Sequence, residues 1–237
     1  MKFNKDDVVC IILARGGSKG LKNKNLRKLN NKPLIYYPIN SALKSKCIGH
    51  VVVSTDSKKI ADAAKKIGAA IPFLRPKKLS GSYATTENSL KHALLEYEKK
   101  VNKKFKICVF ITATDIFRKN IWIDRCVEYL FKHPKIESAF YGYKTSKNFW
   151  ELKQGKWHRL KEWMRVYSSR QIRKTIVRED TGLACASRAE LWRAGRRIGD
   201  NVKIFLNEDG FSHIDIHTIE DLQLAQAAKK IRKEKNV

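Results

Sequence analysis

Apolar positions follow two rhythms along this chain. Val8 to Ala14 is an unbroken apolar run that ends in the turn Arg15-Gly16-Gly17-Ser18-Lys19-Gly20, the pattern of a strand buried on both faces. Pro33 to Leu43 reads as a helix, provided Pro38 falls in its first turns. His50 to Ser54 reads as a second strand. Asp56 to Ile67 carries Ile60, Ala63, Ala64 and Ile67 at helical spacing before Gly68 stops it. Ala70 to Leu74 predicts a short third strand, followed by a Ser- and Thr-rich loop from Leu79 to Thr86. A helix over Asn88 to Lys100, a strand over Lys106 to Thr112, a helix over Asn120 to Phe131 and a strand over Ile136 to Tyr141 continue the alternation.

Strands alternating with helices predict an α/β fold, a Rossmann-like, mostly parallel sheet with helices on both faces. In such sheets the ligand sits beyond the carboxyl ends of the strands, where Arg15 to Gly20 falls. The rhythm breaks between Gly142 and Arg178. There Phe149 to Leu160 predicts a hairpin turning at Gln154-Gly155, with Trp150, Trp157 and Trp163 close by. Segment 142–178 therefore reads as a small inserted subdomain, either an oligomer arm or a satellite core. Strands over Gly182 to Ser187, Lys203 to Leu206 and Ser212 to Ile216 follow, then a closing helix over Thr218 to Lys233. Thr218 and Asp221 form a capping box at its start, with Asp in place of Glu. No repeat or long linker divides the chain, so one domain over 1–237 is expected.

Composition narrows the class. Hydrophobic residues make up 43% of the 237, enough for a packed core and too many for a disordered chain. No run reaches the roughly 18 apolar residues of a membrane span. Met1 to Asp7 is polar and leads straight into a strand, unlike a secretory signal. A cytoplasmic protein with no membrane partner is expected. Cys10, Cys47, Cys108, Cys126 and Cys185 form no CxxC pair and fit small buried hydrophobes in a reducing compartment.

The formal charge of +27 is the outlier. A basic surface draws phosphates, and a nucleic-acid-binding protein is one reading of it. Lysines spread along nearly every helix, such as Lys58, Lys59, Lys99 and Lys100, argue instead for solvated faces. A cleft for a nucleoside triphosphate and an acidic sugar gains from the same field, so nucleic acid is not the expected partner.

The turn after the first strand supplies what a triphosphate needs. Its glycines let backbone N–H groups approach phosphate oxygens, and Arg15 and Lys19 bring positive charge. It matches neither GxxxxGK[ST] nor GxGxxG. Ala14-Arg15-Gly16-Gly17-Ser18-Lys19-Gly20-Leu21, followed by Lys24-Asn25, resembles the signature loop of the acylneuraminate cytidylyltransferases, the CMP-sialic acid synthetases. The resemblance continues through Lys32-Pro33-Leu34-Ile35, Val51-Val52-Val53-Ser54-Thr55-Asp56 and Pro72-Phe73-Leu74-Arg75-Pro76, and it returns at Asp215.

That resemblance implies the nucleotide-diphospho-sugar transferase type of fold, with CTP and a nine-carbon 2-keto sugar acid as substrates. It also implies Mg²⁺ and a homodimer formed through the region matching Gly142 to Arg178. Carried over position by position, Ala14, Arg15, Gly16, Gly17 and Ser18 form the nucleotide loop. Arg15 and Lys24 hold the triphosphate, with Lys19 beside them. Asn25 falls at the ribose, Arg75 at the cytosine base and Thr86 at a hydroxyl position facing the nucleotide. Arg170 resembles the residue that clamps the sugar carboxylate, for which a bidentate Arg is suited.

Three departures bear on specificity. The family segment Leu-Gln-Pro-Thr-Ser-Pro-Leu-Arg reads Ile111-Thr112-Ala113-Thr114-Asp115-Ile116-Phe117-Arg118 here, so Thr114 stays and Thr112 replaces a glutamine expected near sugar and nucleotide. The family's Asn-Gly-Ala becomes Thr181-Gly182-Leu183. The late Asp-Ile-Asp-Thr, whose aspartates ordinarily hold magnesium, becomes Asp215-Ile216-His217-Thr218.

On a strand, His213, Asp215 and His217 would share one face, and two imidazoles with a carboxylate suit a transition metal. The reading favoured here is Mg²⁺ on Asp215, with His217 contacting phosphate or a bound water. The chemistry implied is one displacement at the α-phosphorus, carried by Arg15, Lys19, Lys24 and the metal. No general base can be named from the sequence. A related nucleotidyltransferase with another nucleotide or sugar is the enzymatic alternative.

Overall fold

The computed structural model describes residues 3–81, 83–169 and 171–234. The first strand, β1 (Val8–Leu13), has buried residues pointing to both sides. Val8, Cys10, Ile12 and Ala14 enter one core, and Val9 and Ile11 enter another. Full burial on both faces is what an uninterrupted apolar run requires.

Beside β1 on one edge runs β4 (His50–Ser54), in parallel, and on the other runs β5 (Ile107–Phe110), also in parallel. The sheet continues through β10 (Cys185–Arg188), β6 (Ser138–Thr145) and β11 (Val202–Leu206), with β9 (Ile176–Glu179) pairing β6 as well. Strand β10 is antiparallel to both β5 and β6, and β9 is antiparallel to β6, so the sheet is mixed, with β4, β1, β5, β6 and β11 sharing one direction.

Helices cover both faces. On one lie α1 (Tyr36–Leu43), α2 (Lys58–Ile67) and α4 (Asn120–Lys132), contributing Ile39, Ile60, Ile123 and Leu130 to the larger core. On the other lie α3 (Thr86–Val101) and α5 (Ala189–Arg193), contributing Leu90, Leu94 and Trp192. Local signals set the ends: the Ser57 side chain accepts from Ile60 N–H at the start of α2, and Gly68, at φ +110°, closes it. A third core joins α6 (Ile219–Glu234) to Leu21, Leu29, Leu34 and Phe117. That core ties the closing helix to the segment following the glycine-rich turn.

Several predicted elements are corrected. The helix expected from Pro33 begins at Tyr36, because Lys32–Pro33 (β3) pairs with Lys28–Leu29 (β2) first, and Pro38 sits harmlessly in the first turn. Ala70 to Leu74 is not a strand. Only Ala70 bridges Val52, and Pro72, lacking an N–H, cannot extend the ladder. Ser212 to Ile216 is not the last strand but a turn through His213 followed by irregular backbone, with Ser212 N–H and Ile214 N–H bonded to Asp209 and Phe211 carbonyls. Thr86 opens α3 instead of ending a loop, because the Thr85 side chain caps the helix by accepting from Asn88 N–H at 3.2 Å.

The hairpin at Gln154-Gly155 forms as predicted, from β7 (Trp150–Lys153) and β8 (Lys156–Arg159), with both turn residues at positive φ. Strands β6 and β9 carry residues 142–145 and 176–179 into the main sheet, so only residues 146–175 leave it. All five cysteines are buried and unpaired.

One ion cluster anchors α3 to α5. Glu98, with a side chain 2% exposed, accepts from Arg193, Lys104 and the Phe105 N–H. Burial raises its pKa, but the hydrogen bonds from Arg193, Lys104 and Phe105 outweigh burial and leave it below the usual carboxylate range. A depressed carboxyl stabilises the fold above its unfolded pKa, near 4.3, and loses that contribution as pH falls through the folded value. Glu98→Gln is expected to cost about 3 kcal/mol at pH 7. In urea titrations the gap to the unaltered chain should narrow below about pH 4; a gap unchanged with pH would refute the ionic origin.

Candidate functional site

The sheet reverses its winding at β1: β4 lies on one side and β5 on the other, opening a crevice at their carboxyl ends. A cavity of about 390 Å³ occupies it, walled by the turn after β1, the end of β5 and the start of α3.

Four contacts hold the turn. Ala14 N–H continues the ladder to Ser54 carbonyl at 3.0 Å, and Gly16 N–H donates to Asp56 Oδ1 at 2.8 Å. The Asn25 side-chain amide donates to Arg15 carbonyl at 3.0 Å, and Gly20 passes so close to the His217 carbonyl that a Cβ there would lie 2.8 Å from it. Arg15, Ser18, Lys19, Gly20, Lys24 and Asn25 line the cavity. Ala14, Gly16 and Gly17 do not, and the Gly16 N–H is already engaged. Burial lowers the Lys24 pKa, and the nearby carboxylates of Asp215 and Asp115 act against that shift.

Arg75, Thr86, Thr112 and Thr114 line the cavity opposite the turn. Arg75 is 5% exposed, and its Nε donates to Ser80 Oγ at 3.2 Å. Arg15 reaches the same stretch through a long bond to Gly81 carbonyl, 3.5 Å. Arg170 lies outside the described residues.

Sequence reasoning missed what supports Thr112. Its hydroxyl bonds the Asp115 carboxylate, and its backbone N–H meets the Gly182 carbonyl at 3.0 Å. Arg118, 7% exposed, donates to the carbonyls of Leu183, Thr112 and Gly182 and locks the end of β5 to that loop. Burial lowers its guanidinium to about 10, still cationic at neutral pH. Asp115 shifts the other way, raised by burial and then by Asp215. The one available signal was that Thr112, Asp115 and the Thr181-Gly182-Leu183 segment all depart from the family pattern.

The Asp215–His217 segment docks against the same wall, with Ile216 N–H bonded to Thr114 carbonyl at 3.3 Å. Because it is not a strand, the three-residue metal set is not assembled. His213 stacks edge-on with Tyr143 at 4.4 Å, and among the described residues no group of three His, Cys, Asp or Glu side chains gathers to hold a metal. His217 Nε2 lies 2.8 Å from Asp215 Oδ2. Asp221 is occupied as the α6 cap, accepting from His217 and Thr218 N–H. The half-exposed Asp215 carboxylate suits a hard divalent cation that keeps most of its water.

A second cleft of about 740 Å³ opens at the foot of the hairpin segment, lined by Tyr143, Lys144, Lys147, Tyr167, Arg173 and Arg178 among others. Arg178 stands at its edge, paired with Asp180 through two bonds of 2.8 and 3.2 Å. Among the described residues no helix is long and apolar enough to cross a membrane.

A parallel-framed sheet with a basic, glycine-rich turn at its switch point defines a nucleotide-binding α/β protein. The chain belongs to the cytidylyltransferase family, which it matches over residues 9–232. It is 43% identical over 110 residues to a CMP-N,N'-diacetyllegionaminic acid synthase of Campylobacter jejuni, an alignment covering 46% of this chain and 45% of that protein. The match thus spans about half of that relative. With a pseudaminic acid cytidylyltransferase of the same species it shares 28% identity over 234 residues, 95% of this chain and 97% of the relative. Among solved structures, a CMP:2-keto-3-deoxy-manno-octonic acid synthetase complexed with CTP superposes with a TM-score of 0.69 at 14% identity, covering 96% of this chain and all of the other. At that identity the likeness establishes the fold.

Proposed function

We propose that this chain transfers CMP from CTP to a nine-carbon 2-keto sugar acid of the sialic, legionaminic or pseudaminic kind. The observation that carries the reading is the convergence of Arg15, Lys19 and Lys24 with Arg75, Thr86 and Thr114 around one cavity at the switch point, in a chain of the cytidylyltransferase family. The relatives' names supply the sugar class.

In this reading Arg15, Lys19 and Lys24 neutralise the triphosphate, and Arg75 and Thr86 hold the nucleoside side. Asn25 acts mainly by fixing the turn, because its amide is bonded to Arg15. The acceptor's anomeric oxygen forms a bond to the α-phosphorus, and pyrophosphate departs with the bridging oxygen. Such transfers depend on positioning and charge neutralisation rather than a protein nucleophile. A Mg²⁺ ion held by Asp215, with His217 at its edge, would add charge neutralisation at the phosphates.

Lys144, Lys147 and Arg178, which line the second cleft, add positive charge suited to an acidic sugar. Exposed apolar residues on the protruding segment, Trp157 at 65% and Ile172 at 75%, favour a homodimer through it. The protein is taken to work in the cytoplasm.

The test is direct: incubation with CTP, Mg²⁺ and a panel of nine-carbon sugar acids should release pyrophosphate with CTP and not with ATP, GTP or UTP. Release with a different nucleotide alone would assign the chain another transferase activity. Salt-sensitive nucleic-acid binding with no release would sink the proposal.

A further inference from the structure

The hydroxyls at the end of β5 are polarised in one direction. An ionised carboxylate only accepts hydrogen bonds, so the Thr112 hydroxyl bonded to Asp115 directs its proton there. Thr112 Oγ1 is then left with lone pairs alone. They receive the Thr114 hydroxyl at 3.1 Å and the Asp115 N–H at 3.4 Å. The Thr114 proton is thereby committed inward, toward Thr112. Its oxygen retains lone pairs, and Thr114 lines the cavity together with Arg15 and Lys24. A hydroxyl in that state can only accept from a ligand.

From this order of donors we propose that Thr114, Thr112 and Asp115 form a proton relay that draws the proton from the attacking hydroxyl of the acceptor sugar. The inference rests on the function proposed above. Thr114 is the group that meets the substrate; Thr112 and Asp115 act through it. As the acceptor oxygen bonds to the α-phosphorus, its proton passes to Thr114 Oγ1. The Thr114 proton moves to Thr112 Oγ1, and the Thr112 proton moves to the Asp115 carboxylate. The α-phosphorus–oxygen bond to pyrophosphate breaks, and pyrophosphate leaves with the electron pair. No further reactant is required.

The surroundings hold the relay in register. Thr112 is fixed by its N–H to Gly182 carbonyl and by its carbonyl to Arg118, at 3.0 and 2.8 Å. Gly182 leaves free the space that the Asp115 carboxylate occupies, since any Cβ there would collide with it. Charged groups that act on Asp115 are Asp215, Asp180, Arg118, Lys24 and Arg178, from the docked segment, the Gly182 loop, β5's extension, the first turn and β9. Where the family segment reads Gln and Ser, this chain carries Thr112 and Asp115. Neither residue alone would make the chain of bonds.

The test uses the full chain with CTP, Mg²⁺ and the sugar acid it turns over. Thr112→Val removes the hydroxyl at nearly constant shape, Thr112→Ser keeps it, and Asp115→Asn removes the terminal acceptor. Thr112→Val and Asp115→Asn should each lower kcat by about 10²- to 10⁴-fold, the usual contribution of general base catalysis. Their KM values, and CTP affinity by calorimetry, should stay close to those of the unaltered chain. Thr112→Ser should recover most of what Thr112→Val loses. In mixtures of H₂O and D₂O the unaltered chain should give a bowed proton inventory and Thr112→Val a straight one.

A Thr112→Val variant with undiminished kcat overturns the relay, as does one that loses CTP affinity in step with kcat, or a Thr112→Ser no better than Thr112→Val. Absence of pyrophosphate release from the unaltered chain with every sugar acid overturns the function proposed above instead, and is seen before any variant is compared.

Discussion

Arg15→Ala is expected to lower kcat/KM for pyrophosphate release by about 10²- to 10³-fold, the scale of removing one preorganised group facing developing charge. The fold should be untouched. The side chain lines the cavity, and its described bond is the 3.5 Å contact to Gly81 carbonyl, too long to contribute much to stability. The parts of Arg15 that hold the turn are backbone atoms: its carbonyl takes the Asn25 amide. Steady-state kinetics and a thermal melt decide the matter together. An unchanged melt with full activity would remove Arg15 from the triphosphate site, and with it the central charge of the proposed mechanism.

Gly20→Ala is the second large effect, and it acts through distance rather than charge. Gly20 does not have positive φ among the glycines of this chain, so backbone freedom is not the reason for glycine here. The reason is the His217 carbonyl, a backbone atom 2.8 Å from where a Cβ would stand. Adding the methyl forces the turn and the Asp215–His217 segment apart. Misplacement by about 1 Å in a site of this kind costs on the order of 10²-fold in rate. Since the segment also carries the proposed metal carboxylate, the variant should need more Mg²⁺ for half-maximal activity. Mg²⁺ titration of pyrophosphate release checks this, and an unshifted Mg²⁺ dependence would separate the turn from the metal.

Legibility in the sequence differed by element. The two-faced burial of β1, the stop of α2 at Gly68 and the hairpin turn at Gln154-Gly155 are local matters, written in apolar period and in residues that tolerate αL. The turn from Arg15 to Gly20 was legible as a basic, glycine-rich turn at the end of the first strand by its residue types. Which of its members face the cavity was not, because Gly16 N–H is taken by Asp56, forty positions away. Ala70 to Leu74 and Ser212 to Ile216 both have strand-like sequences. The first fails beyond Ala70, which bonds the edge strand β4, because Pro72 has no N–H to extend the ladder; the second is bent by turn bonds from Ser212 to Asp209 and from Ile214 to Phe211, which sequence period does not report.

His213, Asp215 and His217 show the same limit in the site itself. Their alternate spacing placed them on one face of a strand that does not exist; instead His213 lies against Tyr143 and His217 bonds Asp215. The Thr112–Asp115 bond joins residues three apart, but its confinement is tertiary, since the loop before β10 brings in Gly182, and Arg118, beyond β5, ties Thr112 to that loop.

By itself, the sequence determined the α/β class, most helices and strands, and a basic glycine-rich turn after the first strand, because periodic burial and turn chemistry are short-range consequences of side-chain type. The tertiary structure alone decided the sheet order, the antiparallel entry of β10 between β5 and β6, and the meeting of Arg15, Lys24, Thr114 and His217 around one cavity. Those outcomes depend on which distant backbone groups satisfy one another, and that pairing is settled only when the whole chain is packed.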